Sequence, residues 1–376
     1  MASIYIHIPY CKQACTYCNF HFRISQNDKE EMLKSIKKEI AMRQSYLNGT
    51  TISSIYFGGG TPSILNKKEL NSLVNTVYRH FTIDTDAEIT LECNPDDLNT
   101  KMLSDLKEIG INRLSIGIQS FDDADLKFMN RSHNVKEALE CIRLAKKVGF
   151  DNITIDLIYG LPNQSNDKWK QNLKQMLALD IQHFSAYALT IEPKTVLKHL
   201  IDKKKVTPLE EKITVEHFNT LVQIATENNF IHYEISNFGK EDFFSNHNTA
   251  YWKNQHYLGV GPSAHSFNGT SRQWNIASNK QYIEKVNANR SYFEMEELSN
   301  AQQYNEYIFT SLRTIWGVNK RNIKGRFGKE IEIHFLKEIK KWEKKKDVIN
   351  IKGRYMLTQN GKVFADAIAS DLFIID

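Results

Sequence analysis

The stretch Ser3-Ile4-Tyr5-Ile6-His7-Ile8-Pro9-Tyr10-Cys11-Lys12-Gln13-Ala14-Cys15-Thr16-Tyr17-Cys18 joins a short β-rich run to three cysteines packed into eight residues. Ile4–Ile8 reads as a strand, and the cysteines follow it as a loop. Spacings of four and three residues let that loop wrap three thiolates around three corners of a cubane iron–sulfur cluster, leaving the fourth iron without a protein ligand. Ferredoxin-type carriers use four thiolates per cluster, so three imply an exogenous or distant ligand. The alternative is zinc, with His7 or His21 completing a Cys3His site. The chain holds five cysteines, an odd number. In a reducing compartment such a cluster reads as metal-binding, while the isolated Cys93 and Cys141 read as small buried hydrophobes.

Beyond this loop, β-rich runs alternate with amphipathic stretches as far as residue 191, the pattern of a βα-repeated parallel sheet. Strands are expected at Ile4–Ile8, Ile52–Phe57, Glu88–Glu92, Arg113–Ile118, Asn152–Ile158 and His183–Leu189, with helices near 28–47, 67–80, 100–109, 134–148 and 166–178. Polar and glycine-rich residues recur just after strand carboxyl ends, where parallel sheets build their sites. Six such units predict an α/β fold, a partial (β/α)6 barrel of the TIM type. A helix over Pro208–Asn229 and short strands at His232–Ile235 and Tyr257–Val260 extend the sheet. From about Asn300 the texture changes to helix (Ala301–Trp316), a lysine-rich helix (Lys329–Lys345), strands at Val348–Ile351 and Tyr355–Leu357, and a last helix near 360–370. That order suggests a small C-terminal helical, winged-helix-like domain, and a division into residues 1–240, 241–295 and 296–376.

Bulk composition restricts the function classes. Of 376 residues 41% are hydrophobic and 25% charged, near globular averages, and the net charge of +5 is far from the clustered excess of a nucleic-acid binder. The lysines at 340, 341 and 344–346 are interleaved with Glu338, Glu343 and Asp347, as on a solvated helix face. No run approaches 18 apolar residues and no signal-peptide pattern opens the chain, so a cytoplasmic protein that does not bind nucleic acid is expected.

The pattern C-x3-C-x2-C directly after the first strand of a βα repeat, with Tyr17 before the third cysteine, resembles the radical S-adenosylmethionine (SAM) superfamily. The resemblance implies a [4Fe–4S] cluster on Cys11, Cys15 and Cys18, with the amino and carboxylate groups of S-adenosylmethionine chelating the open iron. Gly58-Gly59-Gly60-Thr61-Pro62-Ser63 follows the second strand and is not a P-loop, since no Gly-Lys-Ser/Thr follows. Its glycines let backbone approach a ligand with N–H and carbonyl groups free, and it matches the family's glycine-rich contact to the methionine amino group through Gly59, Gly60 and Thr61. Glu92, at a strand end, can accept from an ammonium or hydroxyl, or sit in a buried salt bridge. Gln119 can donate and accept, Arg131 can pair a carboxylate as a planar fork, and Asp156 in an apolar strand suits a ribose hydroxyl pair. These four, with Tyr5, resemble contact positions of the branch containing the oxygen-independent coproporphyrinogen III oxidases.

Within that branch the oxidases carry a fourth cysteine two residues after the third, where this chain has Phe20, and an extended segment ahead of the first strand, where it starts four residues before Tyr5. His247-Asn248-Thr249-Ala250-Tyr251-Trp252 matches the H-N-x-x-Y-W motif of the branch's haem chaperone family. Imidazole is a normal axial haem ligand, and aromatic neighbours offer flat surface to a porphyrin. In Tyr257-Leu-Gly-Val-Gly-Pro-Ser-Ala-His265 the glycines do not form a dinucleotide fingerprint, His265 reads as structural, and Pro262-Ser263 departs from the glycine or alanine usual there. The resemblance implies a haem chaperone binding a [4Fe–4S] cluster, S-adenosylmethionine and haem, with His247 as ligand and Tyr251 and Trp252 beside it. Its implied partners are respiratory, membrane-associated apo-haemoproteins, approached from the cytoplasmic side, with a homodimer allowed. The alternatives are a coproporphyrinogen III oxidase and a winged-helix regulator with a redox cluster.

Overall fold

Apolar runs followed by capped amphipathic helices build six βα repeats. The computed structural model describes residues 1–375. The repeats run β1 (Ala2–Ile8), α1 (Lys29–Met42), β2 (Ile52–Gly59), α2 (Lys67–His80), β3 (Ile83–Cys93), α3 (Thr100–Ile109), β4 (Arg113–Gln119), α4 (Asp123–Phe128), α5 (Val135–Val148), β5 (Ile153–Tyr159), α6 (Asn166–Ala178) and β6 (His183–Ala188). Local chemistry fixes several ends. Asn66 and Asn134 close capping boxes with Glu69 and Glu137, and Gly110 and Gly149 end α3 and α5 in the left-handed region.

After β6 come α7 (Val196–Asp202), α8 (Glu211–Glu227), β7 (Ile231–His232), β8 (Asn237–Gly239), α9 (Asn246–Trp252), β9 (Tyr257–Val260), β10 (His265–Phe267), β11 (Ser271–Asn275), α10 (Asn279–Asn287) and β12 (Phe293–Glu297). The expected sheet extension is present on both sides, in the order β12-β11-β10-β9-β1-β2-β3-β4-β5-β6-β8-β7. Strands β1 to β6 are parallel, β9 joins β1 in parallel, and β8 meets β6 antiparallel. The sheet does not close, so the partial barrel is open. Of the strand expected at His232–Ile235 only His232, in β7, is strand, and α4, α7, β8, α9, α10 and β10 to β12 are additions to the sequence reading.

Alternation along the strands decides where the site lies. Ile4, Ile6 and Ile8 pack with Met32, Ile36 and Ile40 of α1 in the main core. The opposite face carries Ser3, Tyr5 and His7 in register with Ser54, Tyr56 and Gly58. Continuing around, it carries Glu88, Thr90, Glu92, Arg113, Ser115, Thr154, Asp156, His183 and Ser185. A usual (β/α) barrel fills its interior with apolar layers. This one is lined by polar side chains.

The C-terminal segment has its own apolar cluster, around Tyr304, Ile308, Phe335, Ile339 and Ile368. Its order is α11 (Asn300–Leu312), β13 (Val318–Asn319), α12 (Lys320–Phe327), α13 (Lys329–Lys344), β14 (Val348–Ile351), β15 (Arg354–Leu357), α14 (Gln359–Val363) and α15 (Ala365–Leu372). The three strands form an antiparallel sheet ordered β13-β15-β14, so the winged-helix-like arrangement is observed. Among the described residues no helix is long and apolar enough to cross a membrane.

Candidate functional site

The loop after β1 is held from both flanks. Cys11 N donates to Arg23 O (3.0 Å) and Arg23 N to Pro9 O (2.9 Å), while Thr16 N donates to Met129 O (3.0 Å). Tyr17 packs against the small apolar cluster of Leu126, Met129, Ile158 and Leu161. Cys11, Cys15 and Cys18 thereby line one pocket of about 430 Å³ at the carboxyl ends of the strands, together with Gly60, Glu92 and Asp156. Thr61 Oγ1 donates to Cys11 Sγ (3.4 Å) and Arg131 Nη1 to Cys15 Sγ (3.3 Å). Burial pushes the Cys11 thiol up to about 11, with Cys18 and Cys15 adding to the rise, and burial raises Cys18 likewise. Thiols raised in this way, Cys11 and Cys18, become thiolates readily once a positively charged metal centre joins them.

The donor geometry separates the two metal readings. Among the described residues, no three His, Cys, Asp or Glu side chains converge tightly enough to hold a single ion. The three thiols line one pocket, from which three corners of a cubane could be held. The imidazoles that zinc would recruit are engaged elsewhere: His7 with Tyr5 Oη (3.2 Å) and His21 O (2.9 Å), His21 with Asn279 Oδ1 (2.8 Å). The donor set fits a cubane cluster with one open iron.

Around the thiols the expected contact residues assemble, with two corrections. The glycine loop does not leave its N–H groups free. Gly59 N donates to Glu92 Oε2 (3.2 Å), Gly60 N to Ile8 O (2.9 Å) and Thr61 N to Tyr10 O (2.7 Å). Its glycines permit close approach to the cysteine strand, since a Cβ at Gly60 would stand 2.5 Å from Tyr10 O. Nor does the Arg131 fork await a carboxylate. It donates to Cys15 Sγ, Asn94 Oδ1 (2.7 Å) and Gly117 O (2.8 Å), bracing the cysteine loop against β4.

Glu92 accepts from Tyr56 Oη (2.8 Å) and Gly59 N, and no Lys or Arg among the described residues pairs with it, which removes the salt-bridge reading. Burial, reinforced by Asp156, raises Glu92 to about 7, and burial raises Asp156 to about 6. Gln119, at φ 68°, ends β4 beside them in the pocket. Two unpaired acids facing a pocket suit a ligand bearing an ammonium and hydroxyls.

A pH dependence follows from Glu92. The folded protein holds its proton up to about 7 and the unfolded chain only to about 4.5, so the folded state binds more protons between these values. Stability of the ligand-free protein is expected to fall as pH rises through that window. Glu92→Gln should flatten the fall in denaturant midpoints measured from pH 4.5 to 7, and an unchanged slope would contradict the assignment.

His247 is on α9, which packs against β1 and β2 and closes the inner face of the sheet opposite the cysteine pocket. Glu88 holds the start of this helix, accepting from Asn246 N (3.0 Å) and His247 N (3.1 Å). The expectation of an imidazole offered to a haem meets an enclosed ring, 2% exposed. It stacks on Tyr56 (4.7 Å between centroids) and meets Tyr251 edge-on (5.0 Å). Its Nδ1 is 3.0 Å from Ser54 Oγ, and its buried Nε2 has no hydrogen-bond partner among the described residues. Burial, then Arg113, lowers the ring to about 3, keeping it neutral as a ligand must be. Tyr251 and Trp252 are half-buried and His265 is exposed beside Trp274.

Tyr56, Glu88 and Arg113, none of them singled out for the site by the sequence reading, organise this interior. Tyr56 links Glu92 to His247, so one phenol joins the cysteine pocket to α9. Arg113, 1% exposed, lies 3.9 Å from Glu88 and donates to Thr90 (3.4 Å) and Thr154. The available signal was position: Glu88, Thr90 and Glu92 alternate along one strand, and a charge recurring at inward positions of an apolar strand is expensive without a partner.

With this geometry in hand, similarity to known proteins narrows the assignment. The Radical SAM superfamily pattern matches residues 5–176 and that of the HemN C-terminal domain residues 298–364. Heme chaperone HemW of Bacillus subtilis (strain 168) is 32% identical over 371 residues, covering 98% of this chain and 98% of that protein. Heme chaperone HemW of Lactococcus lactis subsp. lactis (strain IL1403) is 31% identical, covering 96% of this chain and 94% of its own. Among solved structures, coproporphyrinogen III oxidase (HemN) from Escherichia coli superposes with a TM-score of 0.86 over 99% of this chain and 90% of that one, at 22% identity, a likeness of fold. The near-full-length identity above 30% and the cysteine pocket on a HemN-like sheet lead to one assignment: the chain belongs to the HemW family of the radical SAM superfamily.

Proposed function

We propose that the protein is a haem chaperone that binds haem and hands it to apo-haemoproteins, carrying a [4Fe–4S] cluster on Cys11, Cys15 and Cys18 and S-adenosylmethionine in the adjoining pocket. The observation that carries the choice of chaperone over oxidase is position 20. The oxidases have a fourth cysteine there, whereas Phe20 places a ring, 69% exposed, at the rim of the cysteine pocket. In this reading residues 1–240 hold cluster and cofactor, 241–295 the haem-contacting segment and 296–376 a module facing the recipient.

When bound, the cluster supplies one-electron chemistry and an open iron for the cofactor. The chain's own groups do the rest. Arg131 and Thr61 orient Cys15 and Cys11, Glu92 and Asp156 receive the cofactor's ammonium and hydroxyls, and Tyr5, Tyr17 and Gln119 border them. His247 presents Nε2 as haem ligand once α9 moves off the inner face of the sheet, with Tyr251 and Trp252 following it as apolar surface. Because the ring is enclosed at rest, haem binding on His247 is a slow, conformation-limited step.

Haem titration of the anaerobically reconstituted full-length protein tests this. His247→Ala is expected to weaken haem binding by about tenfold or more, at least ~1.4 kcal/mol, with a shifted Soret band. An unchanged spectrum and affinity would remove His247 as ligand. Conversion of coproporphyrinogen III to protoporphyrinogen IX at catalytic turnover, in the presence of dithionite and S-adenosylmethionine, would replace the chaperone reading by the oxidase.

A further inference from the structure

On the outer side of the sheet, α1 and α2 enclose a groove of about 630 Å³, remote from the cysteine pocket. Small side chains are part of its lining: Ala41 from one helix, Ser72 and Thr76 from the other. Every charged residue lining it is basic, namely Lys37 and Lys38 from α1 and Lys68 and Arg79 from α2, with His80 at one end.

These cations differ from their neighbours on the same helices. Lys29 pairs with Glu69 (3.0 Å), Lys34 with Glu30 (2.7 Å) and Lys67 with Asp105 (3.1 Å). Among the described residues, none of Lys37, Lys38, Lys68 and Arg79 has a carboxylate partner. Lys37 Nζ donates to Ser72 Oγ (3.0 Å) and Lys38 Nζ to Asn287 O (2.8 Å), both neutral acceptors. The Lys37 ammonium, bonded to a residue of the groove itself, therefore keeps two donors for a ligand, whereas that of Lys38 is held at the end of α10. Arg79 and His80 also complement the helix dipole in the last turn of α2, but Lys37, Lys38 and Lys68 have no such role. Like charges around one concavity repel, and a multiply charged anion converts that repulsion into attraction.

The lining also defines the anion. Asn71, Ser72, Asn75 and Thr76 add hydrogen-bonding groups, and apart from the His80 imidazole at one end no aromatic or large aliphatic side chain lines the groove. Stacking surface of the kind single-strand binders use is therefore limited to His80 and the Arg79 guanidinium at one end. Several tetrahedral oxyanions would be met by Lys point charges and an Arg fork. We infer that the groove binds a ligand presenting two or more phosphate groups close together, whether a soluble polyphosphorylated molecule or the headgroups of an anionic lipid surface.

Calorimetry of the full-length protein with sodium tripolyphosphate, beside flotation with phosphatidylglycerol and phosphatidylcholine vesicles, tests this. The variant Lys68→Glu with Arg79→Glu alters two side chains that make no hydrogen bond or ion pair among the described residues, and because Glu in the first turn of α2 favours the helix dipole while Glu in the last turn opposes it, its melting temperature should stay close to wild type. Binding to tripolyphosphate alone assigns a soluble ligand, and binding to phosphatidylglycerol vesicles alone assigns a lipid surface. In either case the variant should lose about tenfold in affinity, with haem affinity unchanged. Wild-type protein that binds neither probe, a variant that binds as wild type does, or equal competition by sulfate at matched ionic strength would overturn the inference.

Discussion

Cys15→Ser is expected to leave the protein without a cluster after anaerobic reconstitution, with iron and sulfide content falling to background and the broad visible absorption lost. A three-thiolate site has no spare protein ligand, because the fourth iron already depends on an outside one. Neither His7 nor His21 can substitute, since both rings are engaged by Tyr5, His21 O and Asn279. The change also removes the sulfur that Arg131 Nη1 meets at 3.3 Å. Cys93→Ser provides the contrast. Cys93 is buried in the core and should cost stability while retaining iron. Metal analysis of both variants decides the point: wild-type iron in Cys15→Ser, or zinc in place of iron in the native protein, would refute a cubane on these thiols.

The second large effect is expected from Glu88→Ala, a loss of about 3–5 kcal/mol in unfolding free energy, the range for breaking a buried charge pair. Glu88 is the acceptor for the first N–H groups of α9, and it faces Arg113 across 3.9 Å. Removing it leaves the Arg113 charge buried without a carboxylate and the start of α9 without its acceptor. Glu88→Gln keeps one oxygen for the helix but loses the charge, and should fall between the two. Hydrogen exchange over residues 245–252 should accelerate in Glu88→Ala, because α9 is released before the sheet opens. In the proposed chaperone the same variant should take up haem faster. Denaturant titration that gives wild-type stability for Glu88→Ala would show that α9 is anchored by something else.

The βα order, the ends of α2, α3 and α6, and the convergence of Cys11, Cys15, Cys18, Glu92, Gln119, Arg131 and Asp156 on one pocket were legible because each rests on short-range chemistry or on strand-end position. Caps such as Asn66 and Asn99 announce their helices locally. The short strands β10 to β12 were not legible. They are three to five residues long and polar, and exist because β9 docks on β1 and offers them an edge.

From residues alone, the three-cysteine loop, the glycine loop after the second strand and the missing fourth cysteine at Phe20 could be read, because spacing along the chain sets how thiols and backbone can meet a compact ligand. Which partner each side chain has could not. Arg131 reads as a fork for a carboxylate and is committed to the cysteine loop. The glycine N–H groups read as free and are bonded to Glu92 and the first strand. His247 reads as a haem ligand, and its ring is enclosed. Each depends on a neighbour 33 to 193 residues away in the chain. Only a sheet that brings Ser54, Tyr56, Glu88 and Glu92 together behind α9 makes those contacts, and no local pattern encodes that meeting.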